Sequence, residues 1–260
     1  MSKQKYLLDN YKKETKDWRQ YAVMSPFIVK AKEIIKPGVG TRDWVFSPSG
    51  MGRTRIGEEL FRGEDPLTFY NRNTSVASQA LKRELLIREF FHQAKKDWEP
   101  RRSKASWLEP SAKSDKLFSV WKAGETGYLL LDAGMQQLAH EGWLPNRVRM
   151  LCASFLTKNL GVWWKEGEQY FAKKLVDYNL DSNIGNWQWV SGAGFNSRLT
   201  DVLSPDLQLI KYDPKLDYCR AQLGKKKVPE GLTAVDHIKQ RGPIEYEYQE
   251  TKEKYLKALS

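Results

Sequence analysis

Cysteine and histidine are scarce in this 260-residue chain, with two of the first and three of the second. Cys152 and Cys219 make no CxxC pair and no disulfide framework, which points to reduced thiols in a reducing compartment. His92, His140 and His237 have no metal-ligand spacing among themselves or with the cysteines, so no zinc site is expected. Apolar runs are short, and none approaches the ~20 residues of a membrane-spanning helix. Met1 to Asn10 is polar and charged, unlike a signal peptide. Strand signals are equally few: period-two alternation is almost absent and no βαβ pattern occurs. These absences predict a soluble, intracellular, mainly α protein without a membrane or metal partner. They do not separate nucleus from cytoplasm.

Positive charge and aromatic rings are plentiful. The 43 Lys and Arg outnumber the 32 Asp and Glu, for a formal net charge of +11. Such a surplus favours polyanions, whether nucleic acid, a phosphate-bearing cofactor or an acidic surface. Runs such as Lys225-Lys226-Lys227 are individually read as solvated faces. Ten Trp, twelve Tyr and ten Phe supply a well-filled helical core, and some of them are candidates to touch a planar ligand or one another.

Helical spacing organises the chain. Residues 1–69 read as a weakly specified helical and loop segment, with a Gly- and Pro-rich stretch from Pro37 to Arg53. Thr74 to Lys95 is the first strong helix, with Leu81, Leu85 and Phe91 in helical register. From Leu117 the pattern is dense: Leu117–Ala123, a turn at Gly124 and Gly127, Leu130–Glu141 stopped by Gly142, a long apolar helix Asn146–Leu160, a shorter one at Gly167–Val176, and Leu180–Gly192. The expected division is 1–69, a helical domain over 70–222, and a charged, partly helical tail over 223–260.

An ordered series of motifs goes further than periodicity. Trp121-Lys122-Ala123-Gly124-Glu125-Thr126-Gly127-Tyr128 precedes Leu131-Asp132-Ala133-Gly134-Met135-Gln136-Gln137-Leu138. Gly142-Trp143-Leu144-Pro145-Asn146-Arg147-Val148-Arg149-Met150 and Ala153-Ser154-Phe155-Leu156-Thr157-Lys158 follow. Trp164, Gly167-Glu168-Gln169-Tyr170-Phe171, Leu175-Val176-Asp177 and Asn186-Trp187-Gln188-Trp189 complete the set. In this order the motifs resemble the C-terminal half of class I photolyases and the related cryptochromes. The resemblance is strong over 117–190 and weaker over 70–92 and 191–222. It implies the helical FAD-binding domain of that family without the N-terminal α/β antenna domain.

The resemblance carries residues with it. It implies FAD held in a helical bowl, with Thr74, Ser75 and Ser78 at the diphosphate; hydroxyls and backbone N–H groups at a helix start are natural anion ligands. Val76 stands where the family has Arg, so one charge is absent there. Arg88, Asn146, Arg149, Asp177, Asn179 and Asn183 complete the implied cofactor contacts. Arg149 and Asp177 match an ion pair beside the flavin ring, which tunes its reduction potential. Asn183 matches the amide facing flavin N5, and Asn179 stands where many members have Asp. Trp187 and Trp164 match the inner and middle rings of an electron-supplying chain. Trp107 lies in order for the outermost ring, at a longer spacing from Trp121, and is read as core.

Photolyases take the target base out of the stack. The implied lesion pocket contains Glu84, Met150 and Trp189. Ile87 replaces a second aromatic, and stacking carries roughly 1–3 kcal/mol per base. Pro145 replaces a family His. The functional expectation is a photolyase-like FAD protein that repairs cyclobutane pyrimidine dimers in DNA with light. Two alternatives stand beside it. One is a non-repairing cryptochrome-like flavin photoreceptor or DNA-binding protein. The other is a remnant or split-gene half that needs a separate chain supplying the α/β domain, or that no longer binds FAD.

Overall fold

A computed structural model describes residues 86–93, 114–193, 202–242, 244 and 253. Among these residues every regular element is helical, in keeping with the photolyase-type helical domain expected from the motifs. In chain order they are α1 (Ser114–Ala123), α2 (Leu129–Glu141), α3 (Asn146–Ser154), a π-helical segment (Phe155–Asn159), α4 (Trp164–Lys174), α5 (Leu180–Ser191), α6 (Pro205–Tyr212), α7 (Asp217–Leu223) and α8 (Ala234–Arg241). Residues 86–93 form a further helical stretch.

α2 is the central element. Leu129, Leu130, Leu131, Ala133, Met135 and Leu138 are all buried, so nearly its whole circumference faces protein, as a helix surrounded by neighbours requires. α1, α3, α6 and α7 pack against it. Its start is fixed by Asp132, whose buried carboxylate accepts hydrogen bonds from Thr126 N at 2.8 Å, Thr126 Oγ1 at 2.7 Å and Gly127 N at 3.1 Å. Burial raises the pKa of Asp132, and these donors oppose that rise. Gly142 ends α2 in the left-handed region at φ 69°, donating to Leu138 O.

The apolar run expected as one helix over Asn146–Leu160 is interrupted. Its last turn winds as a π-helix, in which Leu160 N donates to Phe155 O and Thr157 Oγ1 bonds Ala153 O at 2.8 Å. Hydrophobic periodicity does not register one widened turn, because the buried face is kept.

α4 and α5 cross closely. A side chain at Gly167 of α4 would run into the Trp187 ring of α5 and into Leu156. The stretch 86–93 meets α5 in the same way, with the Phe91 ring lying where a Gly185 side chain would be. His92 Nδ1 and the buried Asp181 of α5 are 2.7 Å apart. The core runs on into the C-terminal part of the chain, where Val228 and Ala234 are buried within it. There α6 and α8 are joined by a two-bond pairing of Arg241 with Asp206, at 2.7 and 2.8 Å.

Candidate functional site

The described site residues expected from sequence fall on α3, α4 and α5, on the loop between α4 and α5, and, for Arg88, on the stretch 86–93. Asn146, Arg149 and Met150 lie at i, i+3 and i+4 of α3 and so share one helix face. Asn146 is exposed at the first turn, and Arg149 and Met150 are half-buried. Pro145 precedes the helix, a position where its missing N–H costs no intrahelical bond.

Arg149 is held at both ends. Its Nε donates to Leu144 O at 2.8 Å, and a terminal nitrogen donates to Asp177 Oδ2 at 2.5 Å. The loop that carries Asp177 is fixed to the turn before α3 by Val176 N donating to Gly142 O at 3.0 Å. The Asp177 side chain is fully buried while Arg149 keeps 21% exposure. The second oxygen, Asp177 Oδ1, is buried with no hydrogen-bond partner among the described residues. A buried carboxylate oxygen without a donor is costly.

Asn179 has a local role that the residue comparison alone did not reveal. It is the N-cap of α5, extended at φ −126° and ψ 120°, with its side-chain oxygen accepting from Ser182 N at 2.8 Å. Asn and Asp cap helices about equally well, so Asn here keeps the cap while removing a negative charge. Asn183 lies one turn further on. Its Nδ2 donates to Glu168 Oε1 at 3.0 Å and lies 3.3 Å from Glu168 O. With the amide nitrogen engaged by α4, Asn183 Oδ1 is the atom left for other partners.

Glu168 belongs to one of the ordered motifs but was given no site role from sequence. It is buried and also accepts from the Tyr178 hydroxyl at 3.2 Å. Desolvation, reinforced by the Glu168 charge and this bond, pushes the Tyr178 phenol up to about 12. A signal was present in the sequence: Trp164, Gly167, Glu168 and Phe171 share the buried face of α4. A carboxylate at a core register position is unusual and asks for a partner.

Trp187 is buried where α4 and α5 cross, in edge-on contact with Phe171 and Trp121 at centroid distances of 5.1 and 6.3 Å. Trp164 is buried at the start of α4. Trp189 is half-buried on α5. Ile87 and Arg88 are half-buried in the stretch that docks on α5, and Arg88 stands 3.5 Å from buried Glu89. Thr74, Ser75, Val76, Ser78, Glu84 and Trp107 lie outside the described residues. Among the described residues no group of three or more His, Cys, Asp or Glu could hold a metal ion. No helix among them is long and apolar enough to cross a membrane.

Among the described residues, a helical bundle thus gathers a half-buried Arg paired with a buried Asp, an anchored Asn and a buried Trp. Residues 80–254 match the family model described as the FAD binding domain of DNA photolyase, and the chain belongs to that family. The deoxyribodipyrimidine photo-lyase of Streptomyces griseus is 42% identical over 173 residues, which is 64% of this chain and 37% of that protein. The Escherichia coli enzyme of the same name is 41% identical over 105 residues, covering 40% of this chain and 22% of that one. A Synechocystis cryptochrome structure aligns at TM-score 0.60 and 30% identity over 77% of this chain and 44% of its own. An archaeal photolyase from Sulfolobus tokodaii, solved with two FAD molecules, aligns at TM-score 0.64 and 25% identity over 89% of this chain and 55% of its own. The chain thus spans well under half the length of the curated relatives named here.

Proposed function

We propose that this chain holds FAD between α3 and α5 and uses it for light-driven splitting of pyrimidine dimers in DNA. The observation that carries the reading is the Arg149–Asp177 pair, with one buried carboxylate oxygen left without a donor among the described residues. The flavin ring edge offers what that oxygen lacks, an imide N–H flanked by carbonyl acceptors. The donor set therefore fits the cofactor. Bound flavin supplies photochemical electron transfer. Asp177 accepts the ring N–H, and Arg149 places positive charge where reduction adds negative charge. Asn183, its nitrogen fixed by Glu168, presents its oxygen to a protonated ring nitrogen. Asn146 stands at the exposed mouth of α3, and Thr74, Ser75, Ser78 and Arg88 serve the phosphates. In this reading Glu84, Met150 and Trp189 serve the lesion, and Trp187 and Trp164 supply electrons.

The net charge of +11 suits a DNA partner. The half-buried Ile87 favours a second reading, a flavin photoreceptor or DNA-binding protein without repair, because an aliphatic side chain offers a flipped base no stacking face.

Purification tests the first step. The expected product is yellow, with bound FAD released on denaturation. A colourless protein that FAD cannot reconstitute overturns both readings. Illuminating the reduced, flavin-loaded protein with dimer-containing DNA then separates them: restored pyrimidines support repair, whereas DNA binding without repair supports the second reading.

A further inference from the structure

α5 is packed on two opposite faces. Asp181, Gly185 and Gln188, at i, i+4 and i+7, line one of them. Asn183 and Trp187 point the other way, towards α4, where Asn183 bonds Glu168 and Trp187 lies against Gly167. The stretch 86–93 covers the first face: the Phe91 ring fills the space beside Gly185, and His92 Nδ1 stands 2.7 Å from Asp181 Oδ2. An ionised carboxylate only accepts, so Nδ1 donates. The Asp181 side chain is 7% exposed and that of His92 23%, so water competes little for the bond. Asp181 also stands in the first turn of α5, where the helix dipole favours negative charge. The two contacts differ in kind. Packing of Phe91 on Gly185 sets how near the stretch comes, but dispersion has little direction and lets it slide. A hydrogen bond has direction, so His92 and Asp181 fix the register of the stretch along α5. Arg88 lies four residues before His92, on the same helical face.

We propose that His92 and Asp181 are positioning residues for cofactor binding: their bond sets where Arg88 stands relative to Asp177 and Asn183. The proposal rests on the flavin reading above, in which Arg88 serves the phosphates and the other two serve the ring. One bound FAD presents ring and phosphates at a separation that the chain must match at both ends. The ring-end side chains stand on α5 and the loop before it, whereas Arg88 stands on a stretch 89 residues earlier, counted from His92 to Asp181. That stretch is a separate piece of the bundle, and its register has to be pinned to α5. A guanidinium grips a phosphate through a planar fork, and a displacement of about 1 Å is enough to spoil such a contact. His92 and Asp181 therefore act on affinity through Arg88 and touch no reacting atom.

The test is a double-mutant cycle on FAD affinity, with the full chain dialysed against known FAD concentrations and bound flavin read by absorbance. Asp181→Ala removes the link without leaving a buried charge behind. It should weaken FAD binding about tenfold, ~1.4 kcal/mol, with the circular dichroism spectrum kept. Arg88→Gln should weaken it as well. Adding Asp181→Ala to Arg88→Gln should then cost less than about twofold more, because the link acts through Arg88. Exchanging the partners, His92→Asp with Asp181→His, should restore the affinity. Wild-type affinity in Asp181→Ala, losses that multiply in the double variant, or an exchange variant as weak as Asp181→Ala overturns the positioning role and leaves the flavin reading standing. A wild type that takes up no FAD overturns both. Should Asp181→Ala fail to fold, Asp181→Ser, which fills more of the space yet is too short to reach Nδ1, runs the same cycle.

Discussion

Replacing Arg149 by Ala should destabilise the protein severely even before any cofactor is considered. The Asp177 side chain is fully buried, and Arg149 is its partner at 2.5 Å. Its other oxygen already lacks a donor, so the substitution leaves a buried carboxylate with no hydrogen bond among the described residues. Breaking a buried pair by removing one partner costs ~3–5 kcal/mol. In a domain of this size each kcal/mol lowers the melting temperature by about 2–4 °C. The expected fall is therefore about 6–20 °C, read by circular dichroism and checked by urea titration. Arg149→Lys should fall between, since Lys keeps the charge but cannot serve Leu144 O and Asp177 from one planar fork. A double-mutant cycle with Asp177→Asn isolates the pair, because Asn keeps the shape and drops the charge. A coupling energy below ~0.5 kcal/mol, within the additivity of independent sites, would refute the argument. So would a melting temperature of Arg149→Ala within about 2 °C of wild type, below the shift expected from 1 kcal/mol. Added FAD should raise the wild-type melting temperature and should do so far less for Arg149→Ala, because ligand stabilisation follows affinity for the native state.

Two further outcomes follow from packing and burial. Gly167→Ala pushes a methyl group into Trp187 and Leu156, an overpacking that costs ~1–3 kcal/mol; a urea midpoint equal to wild type would show that α4 and α5 do not approach so closely. His237 has its pKa lowered from 6.5, first by burial and then by the Arg241 charge. A base depressed in the folded state binds its proton more readily when unfolded, so its contribution is complete above 6.5 and is lost as pH falls through and below that value. His237→Gln should flatten this part of the stability profile in melts on either side of pH 6.5, and an unchanged slope would rule His237 out as its source.

Much of the helical order was legible in the sequence because its signals are local. Gly142 and Gly192 follow their helices and adopt the left-handed backbone that lets a helix stop. Asn179 was legible as a match to a family position but not as a cap, since its use depends on where the chain turns. Glu168 carried a faint signal as a charge at a core position, yet its partners Asn183 and Tyr178 lie 15 and 10 residues away. The polar composition beyond Gly224 concealed the burial of Val228 and Ala234, because a few well-placed apolar residues suffice to join a core.

The sequence by itself determined the helical class, the helix stops and the family, because periodicity, turn residues and ordered motifs act over a few residues at a time. Only the tertiary structure decided that Arg149 also donates to Leu144 O, that Asp177 keeps a buried oxygen unsatisfied among the described residues, and that Trp187 touches Trp121. Those facts depend on how close α4 and α5 come and on what solvent cannot reach, quantities that exist only once distant helices have packed.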